Sequence, residues 1–120
     1  MNSSASQSIN VSVLVPVYNR KECLPQLFAA LAAQTLGRDR FEVIISDDGS
    51  EEPLRDLVQE FARQHGLRCV YTWQEHQGPG PARNAGLRLA RGELIAFVDS
   101  DIVPEPTWLK AYLEAFTTKI

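Results

Sequence analysis

Short apolar runs alternate along this chain with stretches whose apolar residues recur every three or four positions, and few folds accept that alternation. Val11–Val17 is a run of branched residues suited to a strand buried on both faces, with Pro16 near its end, where a missing N–H does least harm. Leu24, Leu27, Phe28 and Leu31 then make one helical stripe, and Pro25 falls in its first turn, where proline is tolerated. Residues 41–46 read as a second strand, and Leu54, Leu57, Val58 and Phe61 as a second helical stripe stopped by Gly66. A third strand is expected over residues 67–72, followed by a loop over 73–80 punctuated by Gly78, Pro79 and Gly80. Pro81 opens a third helix that should end near Gly92. Gly86 inside that helix costs up to about 1 kcal/mol against Ala, which fits close approach to the sheet or a tolerated defect. Residues 94–98 give a fourth strand, and Leu109, Tyr112, Leu113 and Phe116 mark a last amphipathic helix.

Strands and helices in strict alternation predict an α/β fold, a mostly parallel sheet with right-handed crossovers and helices on both faces. The 120 residues, 44% of them hydrophobic, suit one domain with a buried core. Residues 1–10, rich in Ser, Asn and Gln, read as a disordered leader rather than a signal peptide, and residues 11–120 as the domain. Nowhere is there an apolar run long enough to span a bilayer. With 15 Asp and Glu against 12 Lys and Arg, the chain builds no basic stripe, which argues against nucleic acid as a partner. Cys23 and Cys69 lack metal-ligand spacing and read as small buried apolar groups in a reducing, cytoplasmic setting.

Ligands of such sheets bind at the carboxyl ends of the strands, and polar clusters follow three of them here: Tyr18-Asn19-Arg20, Asp47-Asp48 and Asp99-Ser100-Asp101. Residues two apart at a strand end can aim the same way, so Asp99 and Asp101 form a pair able to hold a hard divalent cation such as Mg²⁺ or Mn²⁺. The same pair could simply cap the turn into the last helix. Asp47-Asp48-Gly49-Ser50 is either a turn with an N-cap or a carboxylate placed to accept the N3–H of a uracil ring. Arg83, in the first turn of the third helix, is either a solvated surface arginine or a guanidinium reaching an anion at the helix N-terminus. His65, His76, Trp73 and Trp108 have no partner at ligand spacing and receive no chemistry.

Taken together, residues 11–19, the Asp47-Asp48-Gly49-Ser50 turn, Gly80-Pro81-Ala82-Arg83-Asn84-Ala85-Gly86 and Asp99-Ser100-Asp101 resemble family 2 glycosyltransferases of the Rossmann-like GT-A fold, in motif order and spacing. The resemblance spans almost everything from Val11 to Phe116. It implies metal-dependent transfer of a sugar, usually with inversion, from a nucleotide-sugar such as a UDP-sugar to an unidentified acceptor hydroxyl. Carried over by motif, Pro16 and Tyr18 would flank the nucleoside and Asp48, with Asp47 beside it, would hold the uracil or its ribose. Asp101 would be the direct ligand of Mn²⁺ or Mg²⁺, Asp99 would lie near the ribose or a metal-bound water, and Arg83 near the base or phosphates. The family's general base and acceptor loops belong to a second half, so the fold is expected to be truncated after the D-x-D strand and its helix, with the base beyond Ile120. The strand edge or apolar face left open would drive self-association, most simply as a two-fold homodimer.

A phosphoacceptor receiver domain would want its acidic pair after the first strand and a lysine after a fifth. A dinucleotide-binding oxidoreductase would want G-x-G-x-x-G where this chain has Tyr18-Asn19-Arg20-Lys21-Glu22. The alternative that stays open is a non-catalytic fragment that binds nucleotide or only associates.

Overall fold

The computed structural model describes residues 9–117. In chain order it has β1 (Val11–Val17), α1 (Leu24–Ala32), β2 (Phe41–Asp47), α2 (Arg55–His65), β3 (Cys69–Trp73), α3 (Pro79–Leu87), β4 (Leu94–Phe97) and α4 (Trp108–Thr117). Every strand pair is parallel and the sheet order is β3-β2-β1-β4, so the two seven-residue strands β1 and β2 lie in the middle. That position explains their composition: a strand with a neighbour on each side and a helix over each face has no exposed position to give to a polar side chain without a partner.

Strand pleating splits β1 between two cores. Val11, Val13, Val15 and Val17 pack with Leu24, Leu27, Phe28 and Leu31 of α1, Val58 and Ala62 of α2, and Leu109 of α4. Each such aliphatic side chain contributes about 1.5–3 kcal/mol on burial. On the other face lie Leu14 and Ile44, both buried, with α3 over them. Gly86 makes that helix fit: a Cβ there would stand 2.8 Å from Leu14 Cδ1, so the close approach open in the sequence is present. At the amino ends of the same strands the buried Glu42 carboxylate accepts from Ser12 Oγ at 2.6 Å and from Arg91 N at 2.8 Å, which ties the α3–β4 connection to the sheet.

Several boundaries differ from the sequence reading: β2 runs on through Asp47 and β3 through Trp73, each one residue further than expected, and three other differences have a visible cause. Leu67 was expected in the third strand, but its N–H closes α2 on the Ala62 carbonyl at 2.9 Å, and pairing starts at Cys69. Helix α3 begins at Pro79 rather than Pro81 and ends at Leu87, where Leu89 N bonds Gly86 O and the turn tightens, well before Gly92. Strand β4 stops at Phe97, although Val98 N still reaches Leu14 O at 3.2 Å. Of the leader expected over residues 1–10, positions 1–8 lie outside the described residues. Ile9 is buried, and Asn10 bonds Arg40 O through its N–H and receives Leu94 N on its carbonyl.

Among the described residues no helix is long and apolar enough to cross a membrane. Cys23 and Cys69 are unpaired and only half-buried, and burial pushes the Cys69 thiol up to about 12, so it is not a reactive thiolate.

Candidate functional site

A parallel sheet brings all its carboxyl ends to one edge, and there a cleft of about 410 Å³ is lined by Pro16, Val17, Tyr18, Arg20, Asp48, His76, Pro79, Ala82, Arg83 and the run 99–101. The wall from β1 carries Pro16 and the half-exposed Tyr18. The β1–β4 pairing ends at Leu14 opposite Phe97, and this delivers Asp99 and Asp101, both exposed, to the same cleft. Arg83 comes from α3, which Ser46 holds to the sheet by donating its Oγ–H to Ala82 O at 2.6 Å.

Asp47 departs from the expectation. In a parallel pair, residues in register share a face, and Asp47 pairs with the core-facing Val17, so its side chain turns toward α2 instead of the cleft. It is fully buried, accepts Ser50 N at 2.9 Å and takes the Tyr71 hydroxyl at 2.5 Å. Burial and that carboxylate raise the Tyr71 pKa above its ordinary value, which keeps the phenol a donor. Asp47 thus shapes the turn that carries Asp48 and does not line the cleft.

Asp48, one residue on, faces the other way. Its Oδ1 accepts Gln74 Nε2 and Gln77 N, both at 2.9 Å, and its Oδ2 accepts Gly78 N at 2.9 Å. Burial works to raise its pKa, but the bonds from Gln74, Gln77 and Gly78 and the nearby His76 together hold it below the usual carboxylate value. The carboxylate therefore stays ionised at neutral pH on the cleft floor.

His76, to which sequence reasoning gave no chemistry, completes the group. Its ring stacks on Tyr18 with centroids 4.0 Å apart and planes 19° apart, and its Nδ1 lies 2.8 Å from Asp48 Oδ2. The signal was available: the end of a third strand falls on the ligand edge just as the others do, and residues 74–77 are its polar cluster. Arg20 likewise lines the cleft.

A model of the family described as glycosyl transferase family 2 matches residues 12–119. This chain belongs to that family. Its relatives include the validoxylamine A glucosyltransferase of Streptomyces hygroscopicus subsp. jinggangensis, 39% identical over 88% of this chain and 25% of the relative. Staphylococcus aureus TarS, solved with UDP, matches with a TM-score of 0.78 and 34% identity over 87% of this chain and 31% of the other. The mannosyltransferase PcManGT of Pyrobaculum calidifontis, solved with GDP-Man and Mn²⁺, matches with a TM-score of 0.84 and 26% identity over 92% and 33%. The chain thus spans a quarter of the glucosyltransferase's length and about a third of each of the two solved chains, the TarS one being residues 1–349 of that protein. The GT-A type of α/β fold expected from the motifs is the fold observed.

Among the described residues, no group of three or more His, Cys, Asp or Glu side chains is placed to hold a metal ion. Asp99 and Asp101 still suit one kind of cation site. Mg²⁺ and Mn²⁺ take hard oxygen donors, and Mg²⁺ is typically held by one or two carboxylates with substrate phosphates and water completing the shell. Two exposed carboxylates beside a cleft fit that donor set, and do not fit a site built wholly from protein.

Proposed function

We propose that this chain is the nucleotide-sugar-binding part of a glycosyltransferase that moves a sugar from a UDP-sugar to an acceptor hydroxyl with inversion. The observation carrying this reading is the single cleft in which Tyr18, Asp48, Arg83, Asp99 and Asp101 meet, in a chain of family 2. Relatives solved with UDP and with GDP-Man and Mn²⁺ support it.

In this reading Pro16 and Tyr18 flank the nucleoside and Asp48 accepts the uracil N3–H. Asp101 holds Mn²⁺ or Mg²⁺, with Asp99 near the ribose or a metal-bound water and Arg83 near the base or phosphates. The cation, when bound, offsets charge on the diphosphate and on the departing nucleoside diphosphate. Asp47 acts only through the turn it holds, and the general base is assigned beyond Ile120. Cytosine presents an acceptor at N3, which would face the Asp48 lone pairs unpaired at a cost of about 1–3 kcal/mol. UDP is therefore expected to outcompete CDP by roughly tenfold. Superimposable competition curves would remove the base-reading role of Asp48.

Self-association is a second property we propose for the isolated chain. Strand β4 pairs only with β1 among the described residues, and Phe97, Ile102 and Val103 nearby are 49%, 48% and 57% exposed. A two-fold dimer would bury that surface. Light scattering is expected to give a dimer mass, and a monomer at high concentration would refute it.

A further inference from the structure

We infer that the His76 imidazole is a built-in competitor for the subsite of the donor's base, one that the nucleotide has to displace from Tyr18 and Asp48. The inference rests on the assignment of the base to those two residues. One flat ring already makes both contacts: it stacks on Tyr18 at 4.0 Å and sets Nδ1 2.8 Å from Asp48 Oδ2. The same nitrogen lies 3.2 Å from the Asp48 carbonyl, and with acceptors on both sides it is assigned the hydrogen. A uracil ring offers the same two properties, a π face and an N–H to donate.

The carboxylate cannot serve both rings. Its two oxygens offer about four accepting positions. Gln74 Nε2 and Gln77 N occupy Oδ1, while Gly78 N and His76 occupy Oδ2. A fifth donor must replace one of these. Two of the four are backbone N–H groups of the segment leading into α3, and Gln74 is half-buried and held through its own N–H to Asp47 O at 3.0 Å. The His76 side chain is 53% exposed, so the imidazole can leave for water without unpicking the loop. Displacement subtracts the stack and the hydrogen bond from the affinity of any base and leaves the diphosphate contacts untouched. It also favours a base that returns an N–H to Asp48.

The test is calorimetric titration of the chain, in Mg²⁺, with UDP and separately with inorganic pyrophosphate. His76→Ala is expected to bind UDP roughly three- to tenfold more tightly, the worth of the lost stack and bond, with pyrophosphate affinity unchanged. Unchanged or weaker UDP binding overturns the inference, weaker binding meaning that the imidazole is a wall the base leans on. Tyr18→Ala made in the His76→Ala background, where no imidazole is left to displace, separates the two levels. It should weaken UDP without affecting pyrophosphate, and if it does not, the base assignment itself fails and the competitor role with it. In proton spectra, the His76 ring signals should leave their ring-current-shifted position on UDP saturation, with His65 in the last turn of α2 as internal reference. Unmoved His76 signals at saturation would also overturn it.

Discussion

Stripping divalent cations with EDTA is expected to weaken UDP binding to this chain by at least about tenfold, the largest ligand effect the site supports. Asp99 and Asp101 both line the cleft and both are exposed, so a diphosphate entering it meets like charge at its point of contact. At an effective dielectric near 20, two unit charges about 4 Å apart interact by roughly 4 kcal/mol, and solvent and salt reduce this without cancelling it. Arg20 and Arg83 share the cleft and offset part of the repulsion. A bridging cation removes it. Asp101→Asn in saturating Mg²⁺ should reproduce most of the loss with an unchanged melting temperature, because an exposed side chain at a loop position carries little stability. Equal UDP affinity with and without EDTA in calorimetry would sink the cation assignment, and an Asp101→Asn chain with full metal-dependent affinity would move it off that residue.

What the sequence disclosed follows from which forces are local. The branched run of β1 and the stripe Leu24, Leu27, Phe28, Leu31 declare their partners by period alone, and both are found packed together. Element ends were harder, because they depend on where individual N–H groups find acceptors. Leu67 looks like strand but spends its N–H on the end of α2, and Pro79 and Pro81 are equally acceptable in a first helical turn, whose N–H groups have no partner in the helix. The acidic pair at the end of β2 shows the same limit at the site. Adjacent residues of a strand face opposite sides, so at most one of Asp47 and Asp48 could reach the cleft. Choosing between them needs the register that pairs Val17 with Asp47. The sequence puts His76 on the ligand edge but not against its partners, because Tyr18 and Asp48 are 58 and 28 residues away and meet it only through sheet order.

Replacing Gly49 by alanine should cost the most stability of any single-methyl change near the site, about 2–4 kcal/mol. Two penalties combine. Gly49 sits at φ +85°, a region that costs an L-residue about 1–2 kcal/mol, and a Cβ there would stand 2.5 Å from His76 N and 3.1 Å from Gln74 O. Those are backbone atoms, so relief requires moving the 74–78 segment. That segment carries the Gln74, Gln77 and Gly78 bonds to Asp48, and a buried carboxylate that loses donors becomes costly in its own right. Two other glycines separate the terms. Gly78 has φ +108° with nothing within 4 Å of its added Cβ, so Gly78→Ala should show the conformational cost alone. Gly80 has open space and ordinary φ within α3, so Gly80→Ala should be neutral or slightly stabilising. The expected order of melting temperatures is Gly80→Ala at or above the native chain, then Gly78→Ala, then Gly49→Ala lowest by roughly 10 °C or more. A Gly49→Ala chain that melts with Gly78→Ala would show that the loop yields without cost, and that Asp48 is not held in place by the contact between the β2 turn and the residues before α3.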